Sequence, residues 1–174
     1  MVRTRNNFQA QPPLELAVFC ERQWPRLVAT LAFLVRDART AEDLAQETLT
    51  RACQHWSTVG TMEYPGVWIH RVAVNLARTH NRREATRRRV IAALPAREAV
   101  PHDGTTEMVV RDAVRDLPER ERVAVVLRYF ADLSVRDTAA AMRVNEGTVK
   151  FLTHSAIRRL RATTSFNIEE VVDA

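Results

Sequence analysis

The sequence predicts an all-α protein of two small helical domains joined by a flexible linker, and three observations carry that expectation. Apolar residues recur at three- and four-residue spacing through most of the chain, the period of a helix with one buried face. With 46% hydrophobic residues and only four glycines in 174, the chain has enough apolar material for one or two compact helical domains, and two fits better. Between the periodic stretches, residues 92–105 (AALPAREAVPHDGT) carry two prolines and a glycine among few large side chains, which marks a linker. The expected divisions are an N-terminal arm over 1–13, domains over 14–91 and 106–163, and a short acidic tail over 164–174.

In the first domain Leu16, Cys20, Trp24, Leu27, Leu31 and Leu34 form the core face of a helix from Leu14 to Val35. Pro25 interrupts it, either bending the helix or beginning a new one. Thr40 and Asp43 read as a capping box for the next helix, whose buried stripe is Ala45, Leu49, Ala52 and Trp56. Asp43, Gln46, Glu47, Thr50 and Gln54 fall on its other face, which spacing alone describes as solvated. Ser57 to Glu63 reads as a loop, after which Tyr64 and Pro65 open a further helix. There Trp68, Val72 and Leu76 face the core, while Arg71, Asn75, Arg78 and Arg82 make a basic stripe suited to DNA backbone and base-edge contacts. Tyr64 is placed to stack on an unpaired base, although a loop tyrosine is more often simply packed. Arg78, Arg82, Arg83, Arg87, Arg88 and Arg89 crowd against the single acid Glu84. That local concentration, more than the net charge of +5 or the pI near 10.2, implies a polyanionic partner; a solvated helix end is the plainer reading.

In the second domain LPERERVAVVLRYFADL (Leu117 to Leu133) sets Val123, Val126, Leu127 and Phe130 at helical spacing, with Pro118 near the helix start. Ser134 to Arg161, SVRDTAAAMRVNEGTVKFLTHSAIRRLR, then reads as two short helices broken by a tight turn at Arg143 and Val144, a helix-turn-helix. Ser134 and Asp137 form a capping box on the first helix, and Asn145 caps the second. Val149, Leu152, Ala156 and Leu160 share one face of that second helix. Gly147, Lys150, Phe151, His154, Arg158 and Arg161 share the other, the face a major groove could receive; an ordinary surface helix would also be charged outward.

Several function classes are excluded. The five histidines are scattered, no Gly-rich phosphate loop occurs, and the acids sit in helix caps and surface faces, so no enzyme activity, metal or cofactor is expected. Cys20 and Cys53 lie far apart in sequence, outside any CxxC or Cys/His cluster, and read as two reduced, buried thiols of a cytosolic protein. The N-terminus lacks a signal-peptide core and no segment is long enough to span a bilayer, so the expected location is cytoplasmic, with no membrane partner. Lys150 is the only lysine among 26 basic residues, which reads as genomic base composition, since arginine codons are rich in G and C.

LPERERVAVVLRYFADLS followed by NEGTVK and IRRLR closely resembles region 4 of the sigma-70 family, in particular the extracytoplasmic-function (group IV) sigma factors of bacterial RNA polymerase. TAEDLAQETLTRACQHW (Thr40 to Trp56) resembles the family's polymerase-docking helix, and YPGVWIHRVAVNLARTHNRR (Tyr64 to Arg83) its promoter-melting and −10-reading helix. The resemblance covers about Leu16 to Ala162. It implies a chain that binds core RNA polymerase, at the largest-subunit clamp helices and the flap, and directs promoter-specific initiation. By the resemblance, Asp43, Gln46, Glu47, Thr50 and Gln54 grip polymerase, and Tyr64, Arg71, Asn75, Arg78 and Arg82 meet the −10 element, including its melted strand. Asn145, Glu146, Gly147, Thr148, Lys150, Phe151, His154 and Arg158 read −35 duplex, and an anti-sigma factor is a further partner the family admits. About fourteen linker residues at ~3.4 Å each reach ~48 Å, which with two domain radii matches elements about 17 base pairs, roughly 58 Å, apart.

The chain departs from the family pattern in places. Arg143 stands where the turn usually has glycine, at a cost of about 1 kcal/mol if its φ is positive. After GTVK the family usually has a small polar residue, an arginine and a leucine; here stand Phe151, Leu152 and Thr153. Thr79 replaces an acid that often follows NLA. Two rival readings are a stand-alone helix-turn-helix regulator and a polymerase-binding adaptor with degenerate DNA contacts.

Overall fold

Residues 13–91 and 106–163 are described by the structure, a computed structural model; the predicted linker, the tail and nearly all of the arm lie outside them. Helices account for almost every described residue, and no strand occurs among them. Helix α1 (Leu14–Leu34) runs unbroken through Pro25, which lies on its exposed side. Leu16, Leu27, Leu31 and Leu34 are buried as their spacing predicts, but Trp24 is 39% exposed and Cys20 only half-buried.

Helix α2 (Ala38–Gln54) begins earlier than the Thr40–Asp43 box implies. Asp37 is the N-cap: its side chain accepts from the Thr40 amide at 3.1 Å and from the Thr40 hydroxyl. Asp37 sits at an extended φ of −123°, where a cap belongs, leaving Thr40 as its third-residue partner and Asp43 exposed on the helix body. The same two hydrogen bonds hold the Asp37 carboxyl below its usual range. Part of the expected loop after α2 is a single helical turn, α3 (Trp56–Val59), whose Trp56 ring packs on Phe19 with centroids 5.3 Å apart. Helix α4 (Pro65–Ile91) is the longest element. Its buried residues are Ile69, His70, Ala73, Val74 and Ala77, whereas the predicted Trp68, Val72 and Leu76 are only half-buried. The stripe shifts because α4 is covered from two sides, by α1 and α2 and by α7.

Thr106–Asp116 forms α5, an element the periodicity did not single out. Helix α6 (Glu119–Val125) starts after Pro118 and widens into a π-helical turn, Val126–Phe130, closed by the Ala131 amide on the Val126 carbonyl at 3.0 Å. Asp132, at φ 53°, ends it. Helix α7 (Val135–Met142) and helix α8 (Glu146–Thr163) are the last of the described elements.

The two sequence halves share one buried core. Phe33 of α1 meets Phe130 with ring centroids 3.9 Å apart, and the Arg111 guanidinium lies 5.8 Å over the Phe33 ring. Arg115 of α5 donates to the Ala32 carbonyl at 2.9 Å, and α7 packs on α4. Burial holds the Arg115 and Arg122 guanidinium groups below the usual arginine range.

Candidate nucleic-acid interface

The helix-turn-helix is set by three local devices that the residues dictate. Ser134 Oγ accepts from the Asp137 amide at 3.0 Å, capping α7, while its hydroxyl donates to the Asp137 carboxylate at 2.7 Å. Arg143 takes the left-handed conformation, φ 57° and ψ 49°, the price of a non-glycine at this turn. It allows the Val144 amide to reach the Ala139 carbonyl at 3.0 Å, the closure of a Schellman turn. Asn145 Oδ1 accepts from both the Thr148 amide, at 2.7 Å, and the Thr148 hydroxyl, at 2.8 Å, capping α8 with an exposed side chain.

On α8 the two faces separate as the projection predicts. Val149, Leu152, Ala156 and Leu160 are buried. Glu146, Gly147, Lys150, His154 and Arg158 are exposed, Phe151 is 70% exposed, and Thr148 is half-buried beside its cap. The helix is anchored beneath by Glu121 of α6, a buried carboxylate that accepts from the Ser155 hydroxyl at 3.1 Å and lies 3.0 Å from Arg159 Nε. An exposed cationic face with a protruding ring, rigidly mounted, can meet phosphates and the methyl-bearing edge of thymine.

Along α4 the structure places Asn75 and Arg82 on the surface but gives Arg71 and Arg78, and Tyr64 just before the helix, neighbours from the C-terminal half. Arg78 Nε lies 2.8 Å from Glu119 Oε1, an ion pair without hydrogen-bond alignment. Tyr64 is 49% exposed with the Arg136 guanidinium of α7 6.0 Å from its ring centre, and the adjacent Glu63 carboxylate pushes its phenol above the usual value. Tyr64, Trp68 and Arg71 line one wall of a groove of about 350 Å³, and Arg136, Asp137 and Ala140 of α7 the other. Glu119 and Arg136 are residues that sequence reasoning missed, and no local signal marks them, since their role depends on how the halves dock.

On α2 the structure brings Asp43, Gln46, Glu47, Thr50 and Gln54 onto one exposed face opposite buried Ala41, Ala45, Thr48 and Ala52. Glu47 pairs with Arg51 at 2.9 Å, and the Thr50 hydroxyl donates to the Gln46 carbonyl at 2.9 Å. Among the described residues no helix is long and apolar enough to cross a membrane, and no group of three or more His, Cys, Asp or Glu could hold a metal ion.

Two family models match this arrangement in order: sigma-70 region 2 over residues 21–87 and sigma-70 region 4 over residues 107–160. The chain is 30% identical over 155 residues to the RNA polymerase sigma-E factor of Streptomyces coelicolor, covering 85% of each chain. It is 32% identical over 139 residues to the ECF RNA polymerase sigma factor SigL of Mycobacterium tuberculosis, covering 75% of this chain and 77% of that one. Among solved structures, the sigma factor RpoE from Bartonella quintana, crystallised with the anti-sigma factor NepR, shares the fold at a TM-score of 0.68 and 22% identity, covering 84% of this chain and 96% of that one. The paired region 2 and region 4 matches, with relatives of this identity along most of their length, show that the chain belongs to the sigma-70 family, as one of its extracytoplasmic-function RNA polymerase sigma factors, initiation factors that are not enzymes.

Proposed function

We propose that this sigma factor divides its work among three faces. The half spanning 14–91 grips core polymerase with Asp43, Gln46, Glu47, Thr50 and Gln54 of α2 and meets the −10 element with Tyr64, Arg71, Asn75, Arg78 and Arg82. The half spanning 106–163 reads −35 duplex with Asn145, Glu146, Gly147, Thr148, Lys150, Phe151, His154 and Arg158. The observation that carries this reading is α8: its cations and Phe151 project from a helix whose opposite face is fully buried and whose start is fixed by Asn145. Work at a promoter requires the halves to part, because Arg78 and Tyr64 are engaged by Glu119 and Arg136. The protein acts in the cytoplasm, and an anti-sigma factor, of the kind seated on the Bartonella relative, is a fitting partner for the docked form.

Run-off transcription on a template carrying both promoter elements tests the reading. A transcript should require this chain and core polymerase together. Polymerase binding without promoter-dependent transcripts would favour the adaptor, a role that the bulky exposed Phe151 keeps in view. Tight sequence-specific DNA binding by the chain alone, with no stimulation of polymerase, would favour the stand-alone regulator.

A further inference from the structure

The seam between the two halves opens into a cavity of about 570 Å³ whose charge is one-sided. Arg36, just past α1, and Arg87 and Arg88 of α4 line it from the N-terminal half, while Arg115 of α5 and Arg122 of α6 line it from the C-terminal half. Its acids, Asp37 and Glu84, leave that cluster largely uncompensated. The Asp37 carboxylate is occupied by the Thr40 amide and hydroxyl, and Glu84 pairs loosely with Arg88 at 3.6 Å. Arg115 donates to the Ala32 carbonyl and meets exposed Asp112 at 3.4 Å, yet its buried Nε has no hydrogen-bond partner. Arg122 donates to the Arg115 carbonyl at 3.0 Å. Among the described residues Arg36 and Arg87 form no ion pair. Cations gathered at a partly buried seam repel one another and are poorly solvated, and a bound anion relieves both penalties.

We infer that this cavity is a binding site for an oligophosphate, the class that includes inorganic tripolyphosphate and the nucleoside triphosphates, and that its occupancy pins the two halves together. A guanidinium fork takes phosphate oxygens two at a time, so five forks around one space suit several phosphates linked in one small molecule. The volume is that of a small-molecule site. An α-helix of a protein partner, about 10–12 Å across with its side chains, would place only about one turn in it. Phosphates seated between Arg36 and Arg87 on one side and Arg115 and Arg122 on the other replace a repulsion across the seam with an attraction. The consequence for transcription, weaker capture of core polymerase, rests on the reading that the halves part to work.

The full chain should be titrated calorimetrically with sodium tripolyphosphate, without divalent cations. One saturable site is expected, at least about tenfold tighter than for orthophosphate or sulfate at matched ionic strength. Arg36→Gln, at an exposed position, should weaken that site by about tenfold without moving the circular dichroism melt. Arg39→Gln, an exposed arginine off the cavity, should leave it at wild type. Equal affinities for the three anions, or an equal loss in the two variants, would mean diffuse charge and overturn the site. ATP distinguishes the sources: affinity matching tripolyphosphate supports a nucleotide in the site, and clearly weaker affinity supports the bare phosphate chain. Displacement of tripolyphosphate by a single-stranded oligonucleotide would give the cavity to nucleic-acid backbone and overturn the small-molecule assignment. At a tripolyphosphate concentration that fills the wild-type site but not that of Arg36→Gln, wild-type affinity for core polymerase should fall about fivefold and that of the variant should hold. If the anion binds and wild-type affinity also holds, the pinning is overturned. Phe130→Ala, which removes the ring contact with Phe33, then separates the causes. Tighter polymerase binding by that variant keeps the need for parting and rejects only the pinning, whereas unchanged binding rejects the parting itself.

Discussion

Lys150, Phe151 and Arg158 share the exposed face of α8 but differ in what they can give to DNA. A cation at a phosphate releases counterions and an apolar ring does not. With core polymerase on promoter fragments, Lys150→Ala and Arg158→Ala should each flatten the salt dependence of −35-dependent binding by about one log–log unit. Phe151→Ala should change sequence preference while leaving the slope near wild type. Three slopes equal to wild type would mean this face never enters the groove. His70 offers a second residue-scale test. Burial at 2% exposure, followed by the charge of Arg26, lowers its pKa from 6.5 to about 4, so it is neutral in the fold and its Nδ1 has no protein partner. The unfolded chain takes up a proton that the folded chain refuses between those values, so stability is full above 6.5 and is lost as pH falls toward about 4, by roughly 3 kcal/mol in all. Urea denaturation across that window should show His70→Gln with the shallower pH slope; parallel slopes would deny His70 the role.

At the scale of the element, α2 tests how far a helical face can be assigned from spacing. Its exposed acids lie clear of the core, so Asp43→Lys with Glu47→Lys should weaken core polymerase binding by about tenfold while the circular dichroism melt moves little, since the exposed Glu47–Arg51 pair is worth under about 1 kcal/mol. Unchanged affinity would return the face to plain solvation. The apolar period of α8 was legible because it buries a single stripe within its own half, whereas of the stripe expected on α2 Ala45 and Ala52 are buried but Leu49 and Trp56 are only half-buried. The period of α4 was not, because a helix covered on two sides buries two stripes and the sequence does not say which neighbour covers which. The start of α2 was misplaced for a narrower reason: Asp37 and Thr40 are both good caps, and only the extended backbone at Asp37 decides between them. The turn before α8 was legible despite Arg143, since Ser134 and Asn145 mark both helix starts and fix where the chain must reverse.

For the whole molecule, the docking of the halves is what the sequence concealed. Phe130 reads as core of its own half and the period of α1 does not single out Phe33, yet the two rings pack on one another across the division. Amphipathic patterning reveals that a face is buried and is silent on what buries it. Glu119→Gln removes the Arg78 partner from an exposed site, and Phe130→Ala removes the ring contact. Both should raise the radius of gyration in X-ray scattering and tighten apparent binding to core polymerase, Phe130→Ala by about tenfold, because less of the population sits closed. A compact variant with wild-type affinity would show that the docked form is no obstacle.

The Phe33–Phe130 contact also sets the terms on which an inhibitor can work. Given the proposal that polymerase and promoter take only the parted form, linkage means that a ligand favouring the docked form by a given factor lowers their binding by up to that same factor. Tenfold tighter binding to the docked form, about 1.4 kcal/mol, lowers productive affinity up to tenfold without covering a single residue of α2 or α8. On that proposal, antagonism of this factor needs no competition for the α2 and α8 faces; it needs only a molecule that is at home across the seam.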